Sequence, residues 1–137
     1  MLTQKQQEMR EKYYSEAIRY MDNVRECLAK AKKEGKFYHD QKYVKAACGI
    51  AYSGMRVALD CFPMLKGVEK PRGKIRKSIQ YYQGNITRID GKMLNTLNGA
   101  YKILHLWGYY DGIEVVTVVK DSFDLALAII EKINPSS

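Results

Sequence analysis

The sequence predicts an all-α protein, an antiparallel up-and-down bundle of four long helices plus one short or kinked helix. Three observations predict it. Apolar residues return at steps of three and four through most of the 137 residues, the period of a helix face turned to a core. Prolines number only three, so few points force a helix to stop. The breaks at Gly35, Pro63–Gly67, Asp90–Gly91 and Gly108–Gly112 are short, and short connections join antiparallel neighbours. A chain of this length is expected to form one domain, residues 1–137, with loose tails at 1–3 and 134–137. It can bury a core without disulfide or metal staples.

The first helix is expected from about Gln4 to Lys33. Tyr14, Ala17, Ile18, Met21, Val24, Leu28 and Ala31 make one apolar stripe, and Gly35 ends it after lysines in the last turn. The second runs roughly from Asp40, a fitting N-cap, to Phe62. Here the pattern inverts. Lys42, Lys45, Gly49, Ser53, Arg56 and Asp60 form a polar or small stripe on a helix otherwise apolar, which places that helix in the middle of the bundle. Gly49, Ala51, Gly54 and Ala58 are small enough to let a neighbouring backbone approach closely. Pro63 and Gly67 stop this helix.

A third helix is expected over about Lys74 to Ile89, carried by Ile75, Ile79, Tyr82, Ile86 and Ile89. Asp90 then caps a fourth, about Gly91 to Trp107, although one long bent helix fits the same residues. "IEVVTVV" has strand propensity, yet Val115, Val119, Ser122, Ala126, Ile129 and Ile133 keep helical spacing, and a lone strand has nothing to pair with. A fifth helix is therefore expected over about Ile113 to Asn134. Asp111 and Glu114 have the spacing of a capping box.

Composition narrows function less than it narrows fold. The apolar fraction of 46% and charged fraction of 28% are ordinary for a soluble domain. The polar N-terminus is neither signal peptide nor anchor, and no eighteen-residue apolar run crosses a membrane. Cys27, Cys48 and Cys61 lack metal-ligand spacing, and an odd count fits free thiols in a reducing cytoplasm. A net charge of +8 permits RNA or another polyanion as partner without requiring one.

The chemistry-bearing residues concentrate in "YKILHLWGYYDGIE", residues 101–114. His105 is a candidate acid or base, with Tyr101 and Tyr109 one turn away on its face and Asp111 just beyond. The structural alternative is a helix-end histidine wedged between aromatics. In "GYYDG", Tyr109 and Tyr110 either stack on a planar ligand or cover the bundle end. Gly108 there is expected as a left-handed C-cap, and Asp111 as the cap of the next helix. The run "KPRGKIRK" followed by "SIQYY" makes Lys70, Arg72, Lys74, Arg76, Lys77, Tyr81 and Tyr82 a candidate phosphate-and-stacking surface. As a bland alternative it is a solvated basic loop. His39 is read as structural. No metal site, Walker loop, dinucleotide fingerprint or nucleophile elbow is present, and no cofactor is expected.

The stretches "YVKAACGIAYSGMRVALDCF", "KSIQYY", "DGKMLNTLNGAYKILHLWGYYDG" and "FDLALAIIEKI" together resemble a small family of helical proteins from anaerobic Bacteroidetes, classed as a domain of unknown function. More distantly they look like the HEPN superfamily. That resemblance implies a helical bundle and a homodimer. It also implies a role as an interaction or binding module, as a metal-independent RNase, or as a subunit beside a nucleotidyltransferase. The nuclease members carry Arg, four to six residues, then His. His105 would be that histidine, but the matching positions are Asn98, Gly99 and Ala100. The departure removes the cation that would stabilise a scissile phosphate. The sequence therefore leads to a non-catalytic binding module with a possible protein partner.

Overall fold

The computed structural model describes residues 2–69, 73 and 76–136. Helix α1 spans Gln4–Ala31, α2 Gln41–Leu65, α3 Ile79–Ile89, α4 Gly91–Ala100 and α5 Val116–Glu131. The all-α bundle expected from periodicity is present. Two features were not legible from it: a hairpin of β1 (Lys33–Glu34) and β2 (Phe37–Tyr38), and a π-helix over Tyr101–Tyr110 that continues α4 without a break.

Helix α1 begins on a full capping box. The Thr3 hydroxyl accepts from the Gln6 N–H at 3.1 Å, and the Thr3 N–H donates to the Gln6 side chain at 2.9 Å. Its buried stripe, Ala17, Met21, Val24 and Ala31, is the predicted one. The helix stops at Ala31 rather than Lys33 because Lys32 (φ 57°) turns the chain into β1. Gly35, at φ 64°, occupies the first position of a two-residue turn, where a positive φ favours glycine.

Asp40 caps α2 as expected, accepting from the Lys42 N–H at 3.1 Å. The helix runs three residues past Phe62, with Pro63 inside its last turn. A proline there forfeits one backbone bond, and its carbonyl is taken by the N–H groups of Lys66 and Val68 at 3.0 and 2.9 Å. Helix α2 packs against α1, α3, α5 and the π-helix, so it is the central rod. Val44, Ala47, Cys48, Ala51, Met55, Ala58, Leu59, Cys61 and Phe62 are all buried on it.

Helix α3 starts at Ile79, capped by Ser78, rather than at Lys74. The hydroxyl that satisfies the first-turn N–H groups lies four residues later than the apolar spacing suggested. Asp90 separates α3 from α4 at φ −154° and accepts from the Lys92 and Met93 N–H groups at 3.2 and 3.3 Å. The two helices are therefore distinct.

The segment after the π-helix departs most from expectation. Val115 bridges Phe37, the Tyr38 N–H donates to the Glu114 carbonyl at 2.9 Å, and the Val116 N–H donates to Lys36 at 3.0 Å. The β-branched run thus finds a partner at its first residues, namely the hairpin, and becomes helical from Val116. Val115 stands at the N-cap with no side-chain bond, so the Asp111–Glu114 capping box does not form. Gly108 does not take the left-handed cap. It lies buried within the π-helix, and Gly112, at φ 73°, makes the turn instead.

Candidate functional site: an aromatic groove on the central helix

The polar stripe of α2 forms the floor of an open groove of about 440 Å³. Ala46, Gly49, Ile50 and Ser53 line that floor, Tyr20 lines it from α1, and His105 and Tyr109 line it from the π-helix. Tyr52 and Arg56, both on α2, complete the lining. The volume falls within the roughly 300–1,000 Å³ typical of small-molecule sites.

Glycine makes this groove possible. A Cβ on Gly49 would stand 3.1 Å from Tyr109 Cδ2, and one on Gly54 would stand 2.9 Å from Tyr20 Cβ. A Cβ on Gly108 would meet Cys48 Sγ at 2.5 Å. The three small positions let α1 and the π-helix close on α2 from two sides, as the small residues of α2 suggested.

An aromatic column runs through the site. The His105 ring lies 4.7 Å from Tyr52, 5.2 Å from Tyr101 and 6.3 Å from Tyr109, centroid to centroid. The His105 and Tyr109 planes differ by only 7°. An α-helix rotates successive i+4 residues by roughly 40°. Tyr101, His105 and Tyr109 nonetheless form one column of rings along this segment. Such π segments are rare and recur at functional sites.

Arg56 supplies the cation of the groove. Its guanidinium sits 6.0 Å above the Tyr52 ring and 5.8 Å above Tyr82. The nearby Tyr82 hydroxyl raises the Arg56 pKa further. The Tyr82 hydroxyl donates to Asp60 at 2.9 Å, and Asp60 also accepts from Lys77 Nζ at 3.2 Å. Burial, opposed in part by Arg56, pushes Tyr82 up to about 12. Tyr82, Asp60 and Lys77 thus form a bonded cluster, and Arg56 rests over the Tyr82 ring beside it.

His105 is half-buried. Burial, and then the positive charge of Arg56, lower its pKa from 6.5. The neutral ring is favoured in the folded state, so its contribution to stability is complete above about pH 6.5. It is lost as pH falls from there towards the lower folded-state value. We expect the His105 ring to titrate below 6.5 by NMR, and His105→Phe to flatten the fall of Tm in that window. A midpoint at or above 6.5 contradicts the account.

The sequence-derived candidates separate in space. His105 and Tyr109 meet in the groove, whereas Asp111 occupies an exposed turn and does not line it. Tyr82 is 1% exposed, and the half-buried Lys77 pairs with Asp60. Tyr81 is half-buried beside a separate small cavity with Asp60 and Asn85. Arg76 is exposed. Lys70, Arg72, Lys74 and the Tyr110 side chain lie outside the described residues. Burial raises Cys48 to about 12 and Cys61 to about 11, which makes both thiols inert. Among the described residues no cluster of His, Cys, Asp and Glu could hold a metal, and no helix is long and apolar enough to cross a membrane.

Sequence reasoning missed Tyr20, Tyr52 and Arg56. The available signal was the polar stripe itself: a cation and a serine on the central helix of a bundle require something other than core to face them.

The architecture defines a class, an all-α bundle with a glycine-floored aromatic groove. The chain belongs to the family described as Domain of unknown function (DUF5618), which matches over residues 12–135. It is also similar to a solved protein of unknown function from Dyadobacter fermentans, with 38% identity and a TM-score of 0.78 over 90% of this chain and 94% of that one. No curated protein matches.

Proposed function

We propose that this protein is a non-catalytic binding module whose site is the groove on α2. The observation that carries the reading is the aromatic column of Tyr52, His105 and Tyr109 beside the Arg56 guanidinium, around an open volume of ligand size. Ring faces and one fixed cation recognise a ligand. No carboxylate lines the groove among the described residues. A histidine depressed below 6.5 is already deprotonated at neutral pH, so it is a poor general acid there. Self-association as a homodimer is part of the proposal, supported by the exposed Leu106 and Trp107 on the π-helix. A cytoplasmic setting suits the free thiols.

The test is NMR mapping with a mixed set of small planar fragments. Amide shifts should cluster at Gly49, Ser53 and the 105–109 segment, and vanish in Tyr109→Ala. Shifts spread over the surface, or confined to residues 76–82, overturn the groove reading.

One observation favours a second reading, a metal-independent RNase of HEPN type. The cation missing at positions 98–100 has a spatial substitute in Arg56, whose charge acts on His105. Cleavage of labelled RNA in EDTA, lost in both His105→Ala and Arg56→Ala, supports the RNase. Intact RNA over hours supports the binding module. In the accessory-subunit version of the module, the partner is a separately encoded nucleotidyltransferase.

A further inference from the structure

We infer that the groove takes a small planar aromatic ring bearing a single carboxylate. This rests on the groove being the binding site and adds the class of ligand.

The ring half of the ligand follows from the walls. His105 and Tyr109 both line the groove with ring planes only 7° apart, and Tyr109 is 49% exposed. Tyr20 and Tyr52 add aromatic carbon on α1 and α2. Aromatic pairs prefer offset or edge-to-face contact, which a second flat ring satisfies and a branched aliphatic group does not. Ala46, Gly49 and Ile50 add apolar floor beside Ser53.

The charge half follows from the lining cations, of which the described residues supply one, Arg56. Its guanidinium lies over the rings of Tyr52 and Tyr82, at 6.0 and 5.8 Å, on the groove side of α2. A guanidinium carries five donors in a planar fork, and a carboxylate accepts two of them in parallel. The Ser53 hydroxyl donates to the Gly49 carbonyl at 3.1 Å, so its oxygen offers the ligand acceptor capacity rather than a donated proton. Aromatic faces carry negative potential. A phosphate monoester, with close to two charges at neutral pH, would leave about one charge uncompensated against those faces. A carboxylate is neutralised by the one fork. The anion belongs about one ring away from the His105 stack, because Arg56 lies over Tyr52 and Tyr52 lies on His105.

The experiment titrates the full chain with phenylacetate, its neutral counterpart benzyl alcohol, phenyl phosphate and adenosine monophosphate, following Gly49 and Ser53 amide shifts. Phenylacetate should bind at least tenfold more tightly than benzyl alcohol and more tightly than either phosphate. Arg56→Gln should erase the tenfold preference. Arg56→Lys keeps the charge and loses the fork, so it should fall between. Circular dichroism checks the fold of each variant, and Tyr109→Ala should weaken all four probes without altering their order. Equal affinity for phenylacetate and benzyl alcohol overturns the inference, as does tighter binding of either phosphate. In both cases the groove survives as the site. Failure of every probe, together with an empty fragment map, removes the groove reading as well.

Discussion

Leu104→Ala should cost about 2–5 kcal/mol of folding free energy, the range for emptying a packed leucine site. Leu104 is 0% exposed. It sits in the π-helix, which packs on α2, α4 and α5 at once, so several elements would have to collapse to fill the void. A domain of this size holds about 5–15 kcal/mol in total. The variant should therefore lose a large share of its stability, with a Tm drop on the order of 10 °C. Urea unfolding monitored by far-UV circular dichroism measures it. His105 is the next residue along, so groove shifts in the fragment map should weaken in parallel. A loss under about 1 kcal/mol would mean that the π-helix is not seated in the core.

Gly108→Ala carries the second-largest expected effect, about 1–3 kcal/mol, from overpacking rather than from a void. The added methyl would stand 2.5 Å from Cys48 Sγ, 2.8 Å from Cys48 Cβ and 3.0 Å from the Ile103 carbonyl. Two of those three atoms belong to rigid structure near a backbone, so the π-helix must move away from α2. That movement also carries Tyr109 off Gly49. Cys48→Ala removes the sulfur but keeps the Cβ, so it should rescue part of the loss. The double-mutant cycle should show coupling on the order of 1 kcal/mol. Strict additivity would place the contact elsewhere.

The site was half legible in the sequence. His105 and Tyr109 stood out because they share a helical face four residues apart in a short chemistry-rich stretch, and the structure keeps them together. Arg56 was visible only as part of a polar stripe, because its partner lies 49 positions further along the chain. The basic run with Tyr81 and Tyr82 looked alike in charge and aromaticity, yet burial takes Tyr82 into the core and Asp60 takes Lys77. Composition does not record which side of a helix faces inward once two apolar faces compete.

The sequence by itself left α3 and α4 open as one bent helix, but it determined the all-α class, the central position of α2 and the cap at Asp40. Those depend on periodicity and on hydroxyl or carboxylate groups within a few residues of the backbone they satisfy. Only the tertiary structure decided three other things: the π-helix, the pairing of Glu114–Val116 with the hairpin, and the meeting of Arg56 with His105. Each depends on how segments distant in sequence approach, and for the π-helix and α1 against α2 that approach is allowed by Gly49, Gly54 and Gly108.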